Sequence, residues 1–237
     1  MRKRNTCVIV FNKTIVRTED LDYVPPDFDG DIVVNGNLML GENLSLKSRL
    51  FVSGDINARG TLELSHVECT NLKCSELKAD DICCNGHIYC RNIIVSGDFY
   101  CNDTILGGPR IVVLGNLTCK SIEFASTLKV TCNVETSNGG IRADKVVVKG
   151  DVICSGDFDG KYITISGNLN CGNFNSEESV IQGSMRCINV CCNSLCVYGA
   201  LYCADISTKM LMLGSTIRCY SCIAGCITSV DSHKLNT

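Results

Sequence analysis

The sequence lacks the features that mark several common classes of protein. No apolar run approaches the ~20 residues that a membrane-spanning helix needs, so we expect no transmembrane segment. Beyond the initial MRKR there is no sustained run of lysine and arginine, and the net charge is −3, so nucleic-acid binding is not expected. The apolar stretch after that start, Cys7 to Phe11, is too short for a signal peptide. These absences predict a cytoplasmic protein.

Catalytic signatures are missing as well. The sequence contains no nucleotide-binding loop, nucleophile elbow, HExxH motif or kinase signature. Its three histidines, His66, His87 and His233, lie far apart, and the acidic segment from Thr18 to Asp31 lacks the ligand spacing of an EF-hand. We therefore predict a protein that is not an enzyme, with no catalytic residues, no cofactor and no metal.

What the sequence does contain is a period. Glycines inside V-x-G-D/N-I/L segments, such as VNGNL and VSGDI, recur along the chain, most of them separated by nearly the same interval. The gaps after Gly54 and after Gly115 are close to double that interval, so we expect repeats without their glycine near residues 70 and 132. The short interval from Gly86 to Gly97 indicates either a shortened repeat or a second face that carries the same motif. The glycines are Gly36, Gly54, Gly86, Gly97, Gly115, Gly150, Gly167, Gly183, Gly199 and Gly214.

Between the glycines, apolar residues alternate with polar ones in short segments rich in Val, Ile and Leu, which is typical of β-strands. A repeat of roughly 16 to 18 residues is too short for a helical hairpin but fits one rung of a β-helix. The predicted fold is all-β, a single-domain parallel β-helix (β-solenoid) of roughly twelve rungs. We assign residues 1–29 to an N-terminal cap, 30–227 to the solenoid and 228–237 to a polar C-terminal tail.

The glycines are expected at the corners between strands. A sharp bend often needs a positive φ, which Gly tolerates best and Asn or Asp next. The residue after most of these glycines is Asn or Asp. We expect these side chains to accept hydrogen bonds from corner amides in stacked rows.

A cysteine lies four residues after most of these glycines, and Leu40 and Ala58 take that place in two early rungs. Residues one rung apart should stack about 4.8 Å from one another, so the thiols are expected to form one column. Three interpretations remain open: packing of a small apolar side chain in a narrow interior, disulfide pairing, and metal binding by thiolates. The predicted column is Cys90, Cys101, Cys119, Cys154, Cys171, Cys187, Cys203 and Cys219.

Other cysteines fall outside this column. In adjacent pairs such as Cys83 and Cys84, strand alternation sends one side chain inward and the other outward. Outward thiols could cross-link neighbouring molecules under oxidation. We expect strand geometry to splay the C-x₂-C and C-x₃-C spacings over different faces rather than gather them. The candidate cross-linking thiols are Cys83, Cys84, Cys191, Cys192, Cys222 and Cys226.

Rungs such as VNGNLML, VSGDINA and VKGDVIC resemble those of the bactofilins, polymer-forming cytoskeletal proteins of bacteria built on a short parallel β-helix. The resemblance covers about residues 30 to 227 and implies a cytoskeletal, filament-forming structural protein whose partner is itself. Independently, a β-helix ends in a rung with unpaired backbone groups, which favours end-to-end stacking into filaments, a lattice or a coat. Two alternatives remain: a binding module or adhesin-type fibre with a flat solenoid face, and storage of metal or redox equivalents on thiols.

Overall fold

The structure, a computed structural model, describes residues 7–16, 21, 24–25 and 28–229. The chain is all-β, with 69% of its residues in strands, and its strands form a parallel β-solenoid of about 12 turns. The described residues contain no α-helix. These observations confirm the predicted fold class and the rung count.

The contacts divide the chain into two compact units, Met1–Gly115 and Asn116–Thr237, which are described separately below. Both consist of short strands that pair in parallel with the strand one rung earlier and one rung later. The first unit contains the strands β1 (Val8–Phe11), β2 (Asp31–Val34), β3 (Leu38–Leu40), β4 (Leu44–Val52), β5 (Ile56–Ala58), β6 (Thr61–Cys69), β7 (Leu72–Cys84), β8 (Ile88–Val95) and β9 (Phe99–Val113).

The second unit begins at Asn116 and repeats with greater regularity. Its strands are β10 (Leu117–Val130), β11 (Val134–Thr136), β12 (Ile141–Val148), β13 (Val152–Cys154), β14 (Phe158–Ile165), β15 (Leu169–Asn170), β16 (Phe174–Ile181), β17 (Met185–Arg186), β18 (Asn189–Val197), β19 (Leu201–Tyr202), β20 (Asp205–Leu213), β21 (Ile217–Arg218) and β22 (Ser221–Ser229).

One rung of the second unit shows how the sequence pattern fills the interior. β13 forms one side of the rung and turns two residues, Val152 and Cys154, into the interior. β14 pairs with β16 on both sides of Lys161 but not at Lys161 itself, which marks a bend in the strand. The two halves of β14 therefore form two further sides of the rung. Phe158 and Ile165 are both buried at 0% exposure. The core is therefore a stack of short apolar columns rather than one broad layer.

Strand pairing extends on both sides of residues 30–227, the range predicted for the solenoid. The division into cap, solenoid and tail stays a prediction. β1 lies within the predicted N-terminal cap but pairs in register with β2, from Val8 opposite Asp31 to Phe11 opposite Val34. β22 continues to Ser229, and the remainder of the predicted tail, including His233, lies outside the described residues. So does much of the acidic segment from Thr18 to Asp31. Within the part of the chain that the structure describes, no helix has the length and apolarity needed to cross a membrane.

Candidate functional site

The corner glycines stack on one another through backbone hydrogen bonds. In the second unit the amides of Gly150, Gly167 and Gly183 donate to the carbonyls of Cys132, Gly150 and Gly167 over 3.1 to 3.2 Å. Cys132 thus occupies a corner position that is held by glycine in the following rungs. In the first unit Thr70 does the same, between the Gly54 carbonyl and the Gly86 amide. The prediction of glycine-free rungs near residues 70 and 132 is confirmed.

A row of polar side chains runs beside the second unit's stack, as the sequence predicted. The Oδ1 atom of Asn133 accepts the Asp151 amide over 2.8 Å, and the Oδ1 atom of Asp151 accepts the Asn168 amide over 2.6 Å. The row continues from Asn168 to the Ser184 amide over 2.8 Å. Each corner amide that cannot join the strand ladder is therefore satisfied by a side chain from the preceding rung.

The physical reason for glycine differs from the predicted one. Gly36, with φ of 157°, is the one glycine among the described residues with a positive φ, so left-handed backbone does not explain the corners. A Cβ atom at Gly54 would instead lie 2.0 Å from the Oδ1 atom of Asn37, which accepts the Asp55 amide. Glycine is needed because the capping side chain crosses directly over it.

The corners without glycine show the effect of a side chain at this position. After Thr70 and Cys132 the capped amide lies 3.2 Å from its Asn or Asp acceptor. After the glycines Gly54, Gly86, Gly97, Gly150, Gly167 and Gly183 the corresponding distances are 2.6 to 2.9 Å. Among corners capped by Asn or Asp, a Cβ atom is thus accommodated by lengthening the cap; the hydroxyl caps after Gly36 and Gly199 are long even without a Cβ atom, at 3.2 and 3.1 Å.

The short interval between Gly86 and Gly97 marks a change of face. Gly86 stacks on Thr70, whereas Gly97 stacks on Asp80 at a different corner of the same rungs. Gly115 in turn donates to Gly97 over 2.9 Å. The motif therefore moves from one corner of the first unit to another, which confirms the interpretation of a second face.

This change of face corrects the prediction of one cysteine column. Cys90 lies opposite Cys74, in the column that contains Leu40 and Ala58, whereas Cys101 belongs to another column with Cys84 and Cys69. Cys74 was missed although it lies four residues after Thr70, the glycine-free corner. The second unit carries its own column in common register, in which Thr136 replaces one thiol: Cys119, Cys154, Cys171, Cys187, Cys203 and Cys219.

Most of the column thiols are buried, and this environment raises the pKa of several of them, with Cys84 as the exception. Burial raises the pKa of Cys119, which is 2% exposed. The hydrogen bond with Cys171 raises the pKa of Cys187 to about 12. In the first unit the hydrogen bond with Cys84 and then burial raise the pKa of Cys69, while hydrogen bonds with Cys101 and Cys69 lower that of Cys84. Cys84 is 0% exposed, which leaves it inaccessible to reagents.

These contacts favour packing over the other two interpretations of the columns. All nineteen cysteines are free thiols, and the Sγ atoms of Cys74 and Cys90 lie 3.3 Å apart, a contact rather than a bond. The described residues include no group of three or more His, Cys, Asp or Glu side chains that could hold a metal ion. The columns therefore supply small apolar side chains to a narrow interior.

The candidate cross-linking thiols divide by burial. Cys84 and Cys192 are buried at 0% and 8% exposure and must be removed from the set, because strand alternation turns them inward. Cys83 is half-buried. The exposed thiols of the set are Cys191, Cys222 and Cys226. Cys7, which is not among the predicted candidates, is exposed too.

The two described histidines occupy structural positions. The His87 amide donates to the Oδ1 atom of Asn71 over 2.8 Å, so His87 takes the place of Asp or Asn in a corner row. Its Nε2 atom lies 3.4 Å from a carboxylate oxygen of Asp103. The His66 ring packs at 5.6 Å from that of Phe51. His87 lies near the Cys84 thiol and helps to lower its pKa, but Cys84 is 0% exposed and therefore does not line an open cleft.

Two surface features stand out from the regular repeat. A recess of about 520 Å³ in the first unit is lined by three cationic side chains, Arg59, Lys73 and Arg91, and by no carboxylate. In the second unit Phe124 lies at a β-bulge, has a φ of 61° and is 64% exposed. The Arg142 guanidinium lies 5.5 Å from its ring centroid.

The last described rung is open. Ile227 pairs with Leu211, yet Leu211 is 0% exposed and Ile227 is 58% exposed, because no further described strand covers it. β22 is exposed along almost its whole length, and its sequence SCIAGCITS contains no charge and no proline. In the first unit β1 is also uncharged and pairs only with β2 among the described strands. Neither edge carries the charges or prolines that usually protect a sheet edge.

Comparisons of the chain with models of protein families, with curated proteins and with solved structures found no match.

Proposed function

We propose that the protein is a non-enzymatic structural protein that self-associates by stacking its open edge rungs, in the manner of bactofilin-like polymers. The observation that carries this proposal is the exposure of Ile227, an inward-facing residue of the solenoid that no further strand covers within residues 28–229. A second copy would bury it and would pair the free backbone groups of β22. End-to-end contacts would give filaments, and lateral contacts between outer faces would give a lattice or coat in the cytoplasm.

Exposed thiols on the surface would also allow neighbouring molecules of the assembly to be cross-linked. Cys222 and Cys226 lie on the open strand β22, and Cys191 lies on the outer face of β18 between Asn175 and Ser207. Each is accessible to a neighbouring molecule packed end to end or side by side. Oxidation would convert such contacts into inter-chain disulfides.

Sedimentation velocity and negative-stain electron microscopy of the reduced protein test the proposal. We expect concentration-dependent assemblies that Ile227→Lys abolishes, because stacking would bury an unpaired charge. Ile153→Lys is the matched control: Ile153 is 52% exposed on the outer face of β13, away from the edge. This variant should retain end-to-end assemblies and lose only lateral ones. A wild-type protein that stays monomeric at all concentrations contradicts the proposal.

A binding module is the second candidate, supported by the basic recess of Arg59, Lys73 and Arg91. Three cations without a lining carboxylate would attract an anionic group, although the chain as a whole is acidic. Calorimetric titration with inorganic pyrophosphate would detect such a site. Binding that Arg91→Ala removes, in a protein that remains monomeric, would favour this function over assembly.

A further inference from the structure

In most rungs of the second unit a column cysteine and an apolar residue lie on the two sides of one corner, and Thr136 replaces the cysteine in one rung. The column thiol ends one strand, and the first inward residue of the next side follows after the bend. Cys154 and Phe158 flank this corner in one rung, Cys187 and Val190 flank it in another, and all four residues are buried. The residues in this second position are apolar and at most 2% exposed in five successive rungs: Ile141, Phe158, Phe174, Val190 and Ile206.

The last described rung breaks this rule. Cys222 pairs in register with Ile206 and therefore takes the position that is apolar in the rungs before it. Cys219 lies on the other side of the bend, separated from Cys222 by Tyr220 and Ser221, and its side chain is close enough to interact with that of Cys222. The prediction that strand geometry splays C-x₂-C spacings does not hold for this pair, because the corner between β21 and β22 brings Cys219 and Cys222 together.

The two thiols are also accessible, unlike the stacked thiols of the interior. Cys222 is exposed and Cys219 is half-buried, because no further described strand covers them. Burial and the interaction with Cys222 raise the pKa of Cys219. Cys222 is therefore the thiol that a reagent meets first, and Cys219 lies beside it as a second, less exposed thiol.

We infer that Cys219 and Cys222 form a redox-active dithiol, which low-molecular-weight disulfides convert into an intramolecular disulfide. The Cys222 thiolate attacks the reagent, forms a mixed disulfide and releases one small thiol. The Cys219 thiolate then attacks the Cys222 sulfur and releases the second small thiol. The protein loses both thiol protons and two electrons, and the reagent is reduced to two thiols.

This reaction has a consequence for the open edge that rests on the proposed self-association. An exposed Cys222 on an edge strand would otherwise link to a cysteine of a neighbouring copy. Closure of the Cys219–Cys222 bond removes Cys222 from that reaction. The dithiol thus limits permanent cross-linking at the edge, while Cys226, outside the corner, stays available.

The full-length reduced protein is incubated with oxidised glutathione, quenched with acid, alkylated and mapped by peptide mass spectrometry. We expect a Cys219–Cys222 disulfide in the wild type and in Cys226→Ser, the matched control with an exposed thiol removed from the same strand. In Cys219→Ser, glutathione should remain on Cys222 or be replaced by a second chain, which raises the disulfide-linked dimer several-fold on a denaturing non-reducing gel. Cys222→Ser should abolish the intramolecular bond.

A wild-type protein in which glutathione stays on Cys222, or in which Cys222 bonds to Cys203 or Cys226, overturns the inference. So does a lack of reaction at Cys222. The intramolecular bond is measured on denatured single chains, whereas self-association is measured by sedimentation of the reduced protein. Failure of the dithiol and failure of assembly can therefore be distinguished.

Discussion

The side chain of Asn133 caps the backbone of Asp151: its Oδ1 atom accepts the Asp151 amide over 2.8 Å. Between the two lies the position of Gly150, where a Cβ atom would stand 2.3 Å from that same oxygen. The glycine and the cap therefore work together, because a side chain that crosses a residue without a Cβ atom reaches the amide more closely than the caps that cross Thr70 and Cys132 at 3.2 Å. The same device recurs from rung to rung, and it gives the period its physical meaning.

Gly150→Ala should destabilise the protein. The added methyl group must displace the Asn133 side chain or the Cys132 backbone, which lies 2.7 Å away. We expect a loss of about 2–3 kcal/mol in the free energy of unfolding, from overpacking and a weakened cap. Urea denaturation followed by circular dichroism measures it. Gly41→Ala is the control, since no atom lies within 4 Å of its added Cβ; equal losses in both variants would refute the steric explanation.

The capping row itself can be tested at Asn168, which accepts the Ser184 amide over 2.8 Å. Asn168→Leu keeps the size of the side chain but leaves the amide without its acceptor, so we expect a loss of about 1–2 kcal/mol. Asn170→Leu is the comparison, because Asn170 lies in the same rung with its side chain exposed on the outer face. Denaturation midpoints that fall equally in the two variants would show that the cap is unimportant.

Phe124 stores backbone strain that substitution should reveal. Its φ of 61° lies in the left-handed region, which costs a residue with a side chain about 1–2 kcal/mol relative to glycine. Phe124→Ala keeps that cost and loses the contact with Arg142, whereas Phe124→Gly removes the strain. We expect the free energy of unfolding of the Gly variant to exceed that of the Ala variant by about 1 kcal/mol, so that the Gly variant unfolds at a higher urea concentration. The opposite order would mean that the bulge relaxes without strain.

The stability of the protein should fall in alkali because of its buried thiols. Burial raises the pKa of Cys119 above its ordinary value of 9.0, so the unfolded chain loses this proton at a pH where the folded chain keeps it. Stability is therefore complete below about pH 9 and decreases above it, by up to about 1.4 kcal/mol per pH unit for this thiol.

Comparison of urea denaturation for wild type and Cys119→Ala between pH 8 and about pH 10.5 isolates the contribution of Cys119. The variant should show the shallower decrease. Parallel curves for the two proteins would indicate that Cys119 ionises equally in both states. Reductant must be present throughout, so that oxidation of the exposed thiols does not contribute to the difference.

The β-solenoid, its rung length and the positions of its corners all follow from the amino-acid sequence alone. This was possible because a stacked fold repeats the same local requirement every rung: a glycine under a capping side chain, then alternating inward residues. Even the glycine-free corners at Thr70 and Cys132 followed from the period. Local chemistry and long-range pairing coincide in such a fold, since each strand's partner lies one period away.

The sequence period does not determine which thiols share a column or which residues are buried; both depend on how the strands pair in three dimensions. The short interval from Gly86 to Gly97 placed the motif on another corner, which separated Cys90 from Cys101, and only the register shows which thiols share a column. Exposure likewise depends on whether a rung is covered: Leu211 and Ile227 occupy the same position in successive rungs, yet one is core and the other is surface. A repeat specifies what each rung contains, but only the stacking of rungs determines which residues have a neighbour above them.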